Sequence, residues 1–293
     1  MESGQLISGK ATSIWMDTAP KTNYPKLSGE VKTAVVVVGG GIAGLSTAYL
    51  LSKRGIKPIV IESGGISEGT TGFSTAKITS AHGLIYKYLL DKFGYEKAKI
   101  YADSNEAAIG MIEKISEGEG IDCDFRRLPA FTYSVSEDIQ NIEEEIWAAK
   151  RLSLPVSFSN DLPLPYPVKG AIKYENQAMF HPRKYLIGLA KAIERNGGKI
   201  FENSPVLSVE ENDDYCEIAT EEGKIMARKV VIATNSSIYD PDSFYSKLTS
   251  RQSYTIAVKL KTAVPQGMFY STEEAFHSMR PQPVSPKGEL YII

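Results

Sequence analysis

The pattern of apolar and polar positions predicts a strand–helix–strand unit near the start of the chain. Residues 34–38 form a continuous apolar run, which is typical of a strand buried on both faces. Residues 42–54 follow with a helical pattern, and Gly55 is placed to end that helix. A second apolar run over residues 58–62 predicts another strand. Together these elements make one βαβ unit of about thirty residues.

The pattern changes after this unit, and the remaining elements are a mixture of helices and strands. Residues 63–83 are rich in glycine, serine and threonine, and they predict a loop. Apolar positions at helical spacing predict helices over 84–118, 139–152 and 183–195. Strands are predicted as a pair within 123–135, as consecutive strands over 199–210, 215–220, 223–227 and 229–235, and again from about residue 254.

Three glycines join the first strand to the first helix in the pattern G-x-G-x-x-G. Gly39 permits the tight turn, Gly41 lets the backbone approach a pyrophosphate, and Gly44 lets the helix pack against the sheet. The helix N-terminus offers free N–H groups and the positive end of a dipole to phosphates. Glu62, which lies 23 residues after Gly39, ends the second strand, where a carboxylate accepts hydrogen bonds from ribose hydroxyls. The motif predicts a dinucleotide site, and a glycine turn without a ligand is the alternative.

Composition narrows the class of partner. The 293 residues carry a net charge of −2, so neither a polyanion nor a charged membrane surface is expected as a partner. No apolar run reaches the roughly 18 residues of a membrane-spanning helix. Cys123 and Cys216 lie far apart and outside any C-x-x-C, so neither a disulfide framework nor a metal site is predicted. We expect a protein of the reducing cytoplasm that acts on a small molecule, with no nucleic-acid or membrane partner.

The region after Glu62 bears on the choice between NAD and FAD. A doubly wound NAD domain brings a third strand soon after the second, and this sequence does not. Instead, a second loop over residues 69–77 is rich in small hydroxyl side chains. Such side chains would line the far side of a pyrophosphate and leave room for a bulky ring system. This pattern favours FAD.

A resemblance to the flavoprotein family of D-amino-acid oxidase, glycine oxidase and sarcosine oxidase is carried by VVVVGGGIAGLSTAYLLSKRGIKPIVIES. It extends to the second loop, to FHPRKYLIGLAKAIERNGGKIFENSPVLSVE and to ARKVVIATN, and so covers most of residues 33–293. The stretch TTGFSTAKIT, with the later CDF, is similar to a bacterial subgroup that carries a Rieske iron–sulfur domain after the flavin domain. No Rieske pattern of cysteine and histidine occurs here. Its absence agrees with our expectation, drawn from the terminal KGELYII, that the chain is a fragment.

The resemblance implies that FAD is contacted from several parts of the chain. Glu62 would bind the adenosine ribose, and Val206 would present backbone groups to adenine. Ala233, Thr234 and Asn235 would follow the last sheet strand beside the cofactor. Plain core packing is the alternative for Val206 and Ala233. The pyrophosphate would be lined by Gly39, Gly41, Ile42, Ala43 and Gly44 on one side and by Thr71, Ser74 and Thr75 on the other.

The catalytic candidates are Lys77, His82 and Arg280. Enzymes of this family remove a hydride from the carbon next to an amine, and the resemblance implies a basic residue near the flavin ring at Lys77. A cation there would stabilise the reduced, anionic flavin. His82 would reach the ring or the substrate, and Arg280, Arg126 or Arg127 would bind a substrate carboxylate. The alternatives are a solvated lysine, a structural histidine and surface arginines.

We therefore predict an α/β protein in which a Rossmann-like FAD-binding domain is interleaved with a smaller, β-rich α+β substrate domain that is truncated at its C-terminus. The predicted boundaries are an N-terminal arm over 1–32, an FAD-binding domain over 33–120 and 182–250, and a substrate domain over 121–181 and 251–293.

The expected activity is FAD-dependent oxidation of an amine or amino-acid-like substrate by hydride transfer to flavin. The longer parent would pass electrons to a Rieske cluster. We expect this chain alone to be weakly active and to bind FAD poorly, because the resemblance places the family's usual substrate arginine beyond residue 293. The alternatives are an NAD(P)-dependent dehydrogenase and a non-catalytic flavin-binding or assembly protein.

Overall fold

The chain divides into two compact units in a computed structural model. The structure describes residues 9–236, 238–240, 243–249, 253–274, 276–284 and 288–293. The start of the predicted arm (1–8) and the predicted boundary at 250–251 therefore lie outside the described residues. Unit 1 comprises Met1–Ser74 and Leu189–Lys247, and unit 2 comprises Thr75–Gly188 and Leu248–Ile293.

The elements are numbered here in chain order. The helices are α1 (Ile14–Asp17), α2 (Ile42–Ser52), α3 (Tyr86–Gly118), α4 (Gln140–Arg151) and α5 (Pro182–Arg195), with 3₁₀ turns at Thr70–Phe73 and Phe244–Lys247. The strands are β1 (Gly29–Val38), β2 (Ile59–Ile61), β3 (Lys77–Ile78), β4 (Arg126–Ser134), β5 (Val156–Ser159), β6 (Gly170–Met179), β7 (Lys199–Phe201), β8 (Ser208–Glu211), β9 (Cys216–Ala219), β10 (Gly223–Ile232), β11 (Ala257–Val258), β12 (Met268–Ser271), β13 (Ser278–Pro283) and β14 (Glu289–Ile292). No described helix is long and apolar enough to cross a membrane.

Unit 1 is built on a sheet with the strand order β7-β2-β1-β10-β9-β8. β1 runs parallel to both β2 and β10, and β10 is antiparallel to β9. The buried ends of these strands form an apolar core that includes Val36, Ile61 and Ile225. α2 buries Leu45 and Ala48, which the helical spacing of its apolar residues predicts. The predicted βαβ unit is confirmed.

Long-range pairing changes two sequence-based expectations. The predicted strands over 223–227 and 229–235 are one strand, β10, because β1 pairs along its length from Gly29–Gly223 to Val38–Ile232. The predicted strand pair within 123–135 is also one strand, β4. Its register against β6 shifts between Leu128 and Ala130, around a proline that has no N–H to give to the ladder.

The N-terminal arm packs into unit 1, and its last residues form part of the sheet. β1 begins at Gly29, so the last residues of the predicted arm belong to the sheet. Trp15 and Leu27 are both 1% exposed, because the arm packs its two large apolar side chains into unit 1. The predicted end of the arm at residue 32 therefore falls within β1.

Unit 2 contains a second sheet with the strand order β11-β14-β13-β12-β4-β6-β3, and β5 also pairs with β6. α3 and α4 pack in the same unit, where Tyr86, Ala98 and Ile146 join one apolar cluster. The backbone of α3 is interrupted at Gly94, whose φ is +77°.

The grouping of residues 75–120 with unit 2 differs from the predicted boundaries, which placed them in the FAD-binding domain. The cause is that α3 shares its core with α4 and β6. As a result unit 2 is the larger of the two units. The assignment of a functional role to each unit stays a prediction.

Gly44 on α2 and Gly110 on α3 provide a matched test of the packing. A Cβ at Gly44 would lie 1.9 Å from the Gly39 carbonyl oxygen, whereas one at Gly110 would have no heavy atom within 4 Å. We expect Gly44→Ala to destabilise the protein by about 2 kcal/mol or more, because only backbone movement relieves the clash. Gly110→Ala should stabilise it by about 0.5–1 kcal/mol. Urea unfolding followed by circular dichroism measures both, and equal midpoints for the two variants would contradict the expectation.

Candidate functional site

The turn between β1 and α2 is held by close backbone contacts. The Gly39 N–H donates to the Ile61 carbonyl at 2.8 Å, and the φ of Gly39 is +115°. A Cβ at Gly39 would lie 2.4 Å from the Ala233 carbonyl oxygen. Together with the clash at Gly44, this geometry accepts only glycine at both positions. The predicted structural roles of Gly39 and Gly44 follow directly from these distances.

The N-terminus of α2 lies next to the second loop. Gly41 is the residue that immediately precedes the helix. A Cβ added at Gly41 would lie 3.3 Å from Thr71 Oγ1. The Ile42 N–H donates to Thr71 Oγ1 at 3.3 Å, and Ala43 is exposed. The first N–H groups of a helix have no partner within the helix, so they are available to an anion.

Glu62 follows β2 and is hydrogen-bonded to the same turn. Its Oε2 accepts from the Gly40 N–H at 2.5 Å, and its Oε1 accepts from the Gly64 N–H at 3.0 Å and from Ser63 Oγ at 2.9 Å. The side chain is half-buried. Because a carboxylate has about four lone-pair positions, Glu62 keeps capacity to accept from ribose hydroxyls as well.

The second loop and the segment after β10 border this turn. Ser74 Oγ donates to the Thr71 carbonyl at 3.1 Å, which stabilises the 3₁₀ turn. The Ala233 N–H donates to the Val38 carbonyl at 2.8 Å, and Asn235 Nδ2 donates to Thr70 Oγ1 at 3.3 Å. Thr234 Oγ1 donates to the Ser236 carbonyl at 2.6 Å. The structure therefore brings Ala233 and Asn235 to the turn and loop.

Two further residues, Val206 and Thr75, were predicted to contact the cofactor. Val206 is half-buried and packs against the apolar core of unit 1, and the neighbouring Leu207 N–H donates to the Ala219 carbonyl. Thr75 is the first residue of unit 2. Their contacts to FAD stay predictions.

Lys77 lies in a second cluster, inside unit 2. Its Nζ donates to Ser278 Oγ at 2.7 Å and lies 5.1 Å from the centre of the Tyr270 ring. Lys77 is on β3 and Ser278 on β13, which are separated in the sheet by β12, β4 and β6. Since neighbouring strands lie about 4.8 Å apart, this contact requires the sheet to curl strongly.

Arg280 is fully buried beside this cluster. Its Nη2 donates to the Phe180 carbonyl at 3.2 Å and to Gln282 Oε1 at 2.6 Å. Gln282 lies 3.5 Å from Asp124, which also pairs with Lys184 at 2.9 Å. Arg280 thus belongs to a buried polar network, and its predicted contact with a substrate carboxylate stays a prediction.

Burial changes the charge state of these groups. Burial, and then the nearby Arg280 guanidinium, lowers the pKa of Lys77 to about 7. Burial lowers the pKa of Arg280 to about 9 and raises that of Tyr270 to about 12. Near neutral pH the Lys77 amine therefore exchanges between its charged and neutral forms.

The other basic candidates have different partners. His82 is exposed, and its Nδ1 lies 2.7 Å from the Tyr101 hydroxyl on α3. Although the residue as a whole is exposed, neighbouring atoms partly desolvate the imidazole, and this desolvation lowers the pKa of His82 below its usual value. Arg127 forms an ion pair with Glu113 at 2.5 Å, and Arg126 donates to Gln266 Oε1. The structure therefore groups Lys77 with Arg280 and gives His82 separate partners; its catalytic role stays a prediction.

Tyr270 and Ser278 are the residues of this cluster that sequence reasoning missed. Both lie about 200 residues after Lys77 and on strands whose pairing no local pattern indicates. Gly40, the backbone donor to Glu62, was also missed, although the triple glycine in GGGIAG was a visible signal.

The family model described as "DAO: FAD dependent oxidoreductase" matches residues 34–292. The chain belongs to this family of FAD-dependent oxidoreductases. FAD is therefore its cofactor, which confirms the prediction and displaces the nicotinamide alternative. The glycine turn of unit 1, open only because a Cβ is missing, and the carboxylate of Glu62 fit the pyrophosphate and ribose of FAD.

Two curated relatives match most of this chain. The "Putative Rieske 2Fe-2S iron-sulfur protein YhfW" of Bacillus subtilis is 32% identical over 92% of this chain and 53% of its own length. The gamma-glutamylputrescine oxidoreductase of Escherichia coli is 25% identical over 74% of this chain and 52% of its own. The chain spans about half the length of these curated relatives.

Among solved structures, the glycine oxidase of Geobacillus kaustophilus superposes with a TM-score of 0.71 at 17% identity. The match covers 89% of this chain and 70% of that one. It confirms the predicted α/β fold with parallel and antiparallel sheets.

Replacing Glu62 tests the predicted ribose contact. We expect Glu62→Ala to weaken FAD binding by about tenfold or more, because hydrogen bonds to a charged group are lost. FAD fluorescence quenching gives the dissociation constant. Glu210→Ala, an exposed acid on β8 of the same unit, is the matched control and should bind as the unsubstituted chain does. Unchanged affinity in Glu62→Ala would remove Glu62 from this role.

The low pKa of Lys77 predicts a distinct titration. After reductive methylation with ¹³C-formaldehyde, the Lys77 signal should titrate near pH 7 in NMR spectra. Lys26, whose pKa is raised by its bond to Glu222, should titrate far higher.

The same shift has a consequence for stability. An unfolded lysine has a pKa of about 10.4, so between about pH 7 and 10.4 the unfolded chain binds the extra proton. The free energy of unfolding should rise with pH across that window, and Lys77→Met should flatten the rise. A Lys77 signal that titrated above pH 10 would contradict both expectations.

Proposed function

We propose that this chain forms the FAD-binding half of an enzyme that oxidises an amine or amino-acid-like substrate. The observation that carries the proposal is the glycine turn of unit 1, where the helix N-terminus, the Thr71 hydroxyl and the Glu62 carboxylate converge. On this proposal unit 1 is the FAD-binding domain and unit 2 is the substrate domain.

The residues of unit 1 would hold the cofactor by complementary charge. The N–H groups at the start of α2 would bind the pyrophosphate, since that helix end carries positive partial charge. Glu62 would accept from the ribose hydroxyls, and Thr71 and Ser74 would border the phosphates from the second loop. When bound, FAD supplies the acceptor for the hydride that the substrate loses.

The Lys77 cluster of unit 2 would act at the reacting end. At Nζ, Lys77 would hold a proton beside developing negative charge, or accept one, because its pKa lies near neutrality. Arg280 would act through Lys77, as a buried positive charge that keeps this pKa low. Ser278 and Tyr270 would fix the position of the amine.

The substrate class is supported by the names of the relatives. A gamma-glutamylputrescine oxidoreductase and a glycine oxidase of Bacillus subtilis both match about 70% of this chain, and their names specify an amine and an amino acid. A small molecule with an oxidisable C–N bond is therefore our proposed substrate. We also propose a cytoplasmic location, which agrees with the free thiols of Cys123 and Cys216.

A second candidate function concerns the electron acceptor. The relative YhfW of Bacillus subtilis is named for a Rieske 2Fe-2S cluster, and the match to this chain covers 53% of its length. We propose that in such a longer protein the electrons pass to a one-electron iron–sulfur acceptor rather than to oxygen. Two equivalents of that acceptor would be reduced for each substrate oxidised.

Anaerobic mixing with a panel of substrates tests the proposed function. The chain loaded with FAD is mixed with primary amines, secondary amines and amino acids, and flavin absorbance at about 450 nm is followed. We expect at least one class to bleach it. Ferricyanide should then restore the colour faster than oxygen does. Failure to take up FAD even when FAD is present in large excess would overturn the proposal, and FAD uptake without bleaching would favour the non-catalytic flavin-binding alternative.

Lys77→Met sharpens this test. Loss of a preorganised charge costs about a hundredfold in the rate of a chemical step, so bleaching should slow by about that factor. FAD affinity should stay unchanged if Lys77 serves unit 2 alone. Lys26→Met, an exposed lysine of unit 1, is the control. An unchanged bleaching rate in Lys77→Met would remove Lys77 from the reacting end.

A further inference from the structure

Residues 13–27 of the N-terminal arm contact the second loop of unit 1. Trp15 is 1% exposed, and its Nε1–H donates to the Ser74 carbonyl at 2.8 Å. Ser13 Oγ donates to the Gly72 carbonyl. Met16 packs so closely that a Cβ at Gly72 would lie 2.2 Å from its terminal methyl group. The C-terminal end of the 3₁₀ turn is thus held by the arm.

The arm also contacts the loop that follows Glu62, through a buried carboxylate. Glu202 is 1% exposed and accepts from the Thr22 hydroxyl, from the Tyr24 N–H at 3.0 Å and from the Ile66 N–H at 2.7 Å. One acid therefore joins the arm to residues 64–67. This loop in turn meets the glycine turn, because the Ser67 N–H donates to the Gly40 carbonyl.

These two attachments reach the cofactor residues by short paths. Trp15 holds Ser74, whose hydroxyl holds the Thr71 carbonyl, and Thr71 accepts from the N-terminus of α2. Glu202 holds Ile66, which lies four residues after Glu62. Both loops are short and polar, and neither has a strand partner between β2 and β3. Without an external contact, their order would have to be established when the cofactor binds.

We propose that the arm is a positioning element for FAD, in which Trp15 and Glu202 hold the two loops that carry Thr71 and Glu62. The inference rests on the proposed FAD-binding role of those two residues. By ordering the loops before the cofactor arrives, the arm removes part of the conformational entropy that binding would otherwise cost. Trp15 and Glu202 act through Ser74 and Ile66, so they are positioning residues and do not contact the cofactor themselves.

Trp15→Phe tests the first attachment, because it keeps an aromatic ring and removes the indole donor. Hydrogen–deuterium exchange of the chain without FAD should become at least about threefold faster over residues 72–74. The dissociation constant for FAD should rise about fivefold, as expected for the loss of one hydrogen bond. Trp147→Phe, a half-exposed tryptophan on α4 of unit 2, is the matched control and should change neither.

Glu202→Gln tests the second attachment with little change of shape. An amide has one acceptor oxygen where the carboxylate has two. At least one of the three donors to Glu202, namely the Thr22 hydroxyl and the N–H groups of Tyr24 and Ile66, therefore loses its acceptor. Exchange should become faster at Ile66 and Ser67, and FAD should bind more weakly.

Unchanged circular dichroism and an unchanged unfolding midpoint in Trp15→Phe would show that the loops respond without loss of the fold.

The outcomes separate this inference from the proposed function. Unchanged exchange over residues 72–74 in Trp15→Phe would overturn the inference, whether or not the chain binds FAD. Faster exchange with unchanged FAD affinity would overturn the link to the cofactor and leave the proposed function standing. Failure of the unsubstituted chain to bind FAD would instead overturn the proposed function, and this inference with it.

Discussion

The glycine turn of unit 1 depends on how closely two backbone segments approach each other beside β1. The Gly44 Cα faces the Gly39 carbonyl, and the Gly39 Cα faces the Ala233 carbonyl, with no room for a methyl group in either gap. These contacts join β1, α2 and the end of β10 at one point. Because that point lies at the carboxyl edge of the parallel strands, the helix N-terminus opens where such sheets bind ligands. Glu62, on the adjacent strand, is then within hydrogen-bond reach of Gly40.

Local sequence predicted this part of the molecule well, for a physical reason. The strand, the glycine turn, the helix and Glu62 are neighbours along the chain, so each leaves a signal within a window of about thirty residues. The limits of β10 and of unit 2 depend on partners far away in sequence. The apolar pattern of 223–232 breaks at Arg228, yet pairing with β1 carries the strand through it. Likewise, nothing within 84–118 indicates that α3 packs with α4.

The Lys77 cluster shows the same limit more sharply. Lys77 was identifiable from the resemblance to a family, but its low pKa arises from Arg280 and from burial, which only the curled sheet of unit 2 provides. Ser278 reaches Lys77 across three intervening strands and Tyr270 across two, and no spacing in the sequence records these contacts. The position of the N-terminal arm likewise leaves no local signal in the sequence. The arm is polar in composition, but the buried Trp15 and the distant buried Glu202 determine where it lies.

The long pairing of β1 with β10 has a consequence for how the protein forms. The two strands are separated by almost two hundred residues, and all of the described residues of unit 2 before 189 lie within that interval. Non-local pairing of this kind forms slowly, because the entropy of closing a long loop is lost before any contact compensates for it. On the ribosome, the glycine turn emerges early but meets the Ala233 carbonyl only after most of the chain is made. Until then the apolar edge of β1 is unpaired, so the segment first recognised as the cofactor site is also the segment most exposed to misassociation during synthesis.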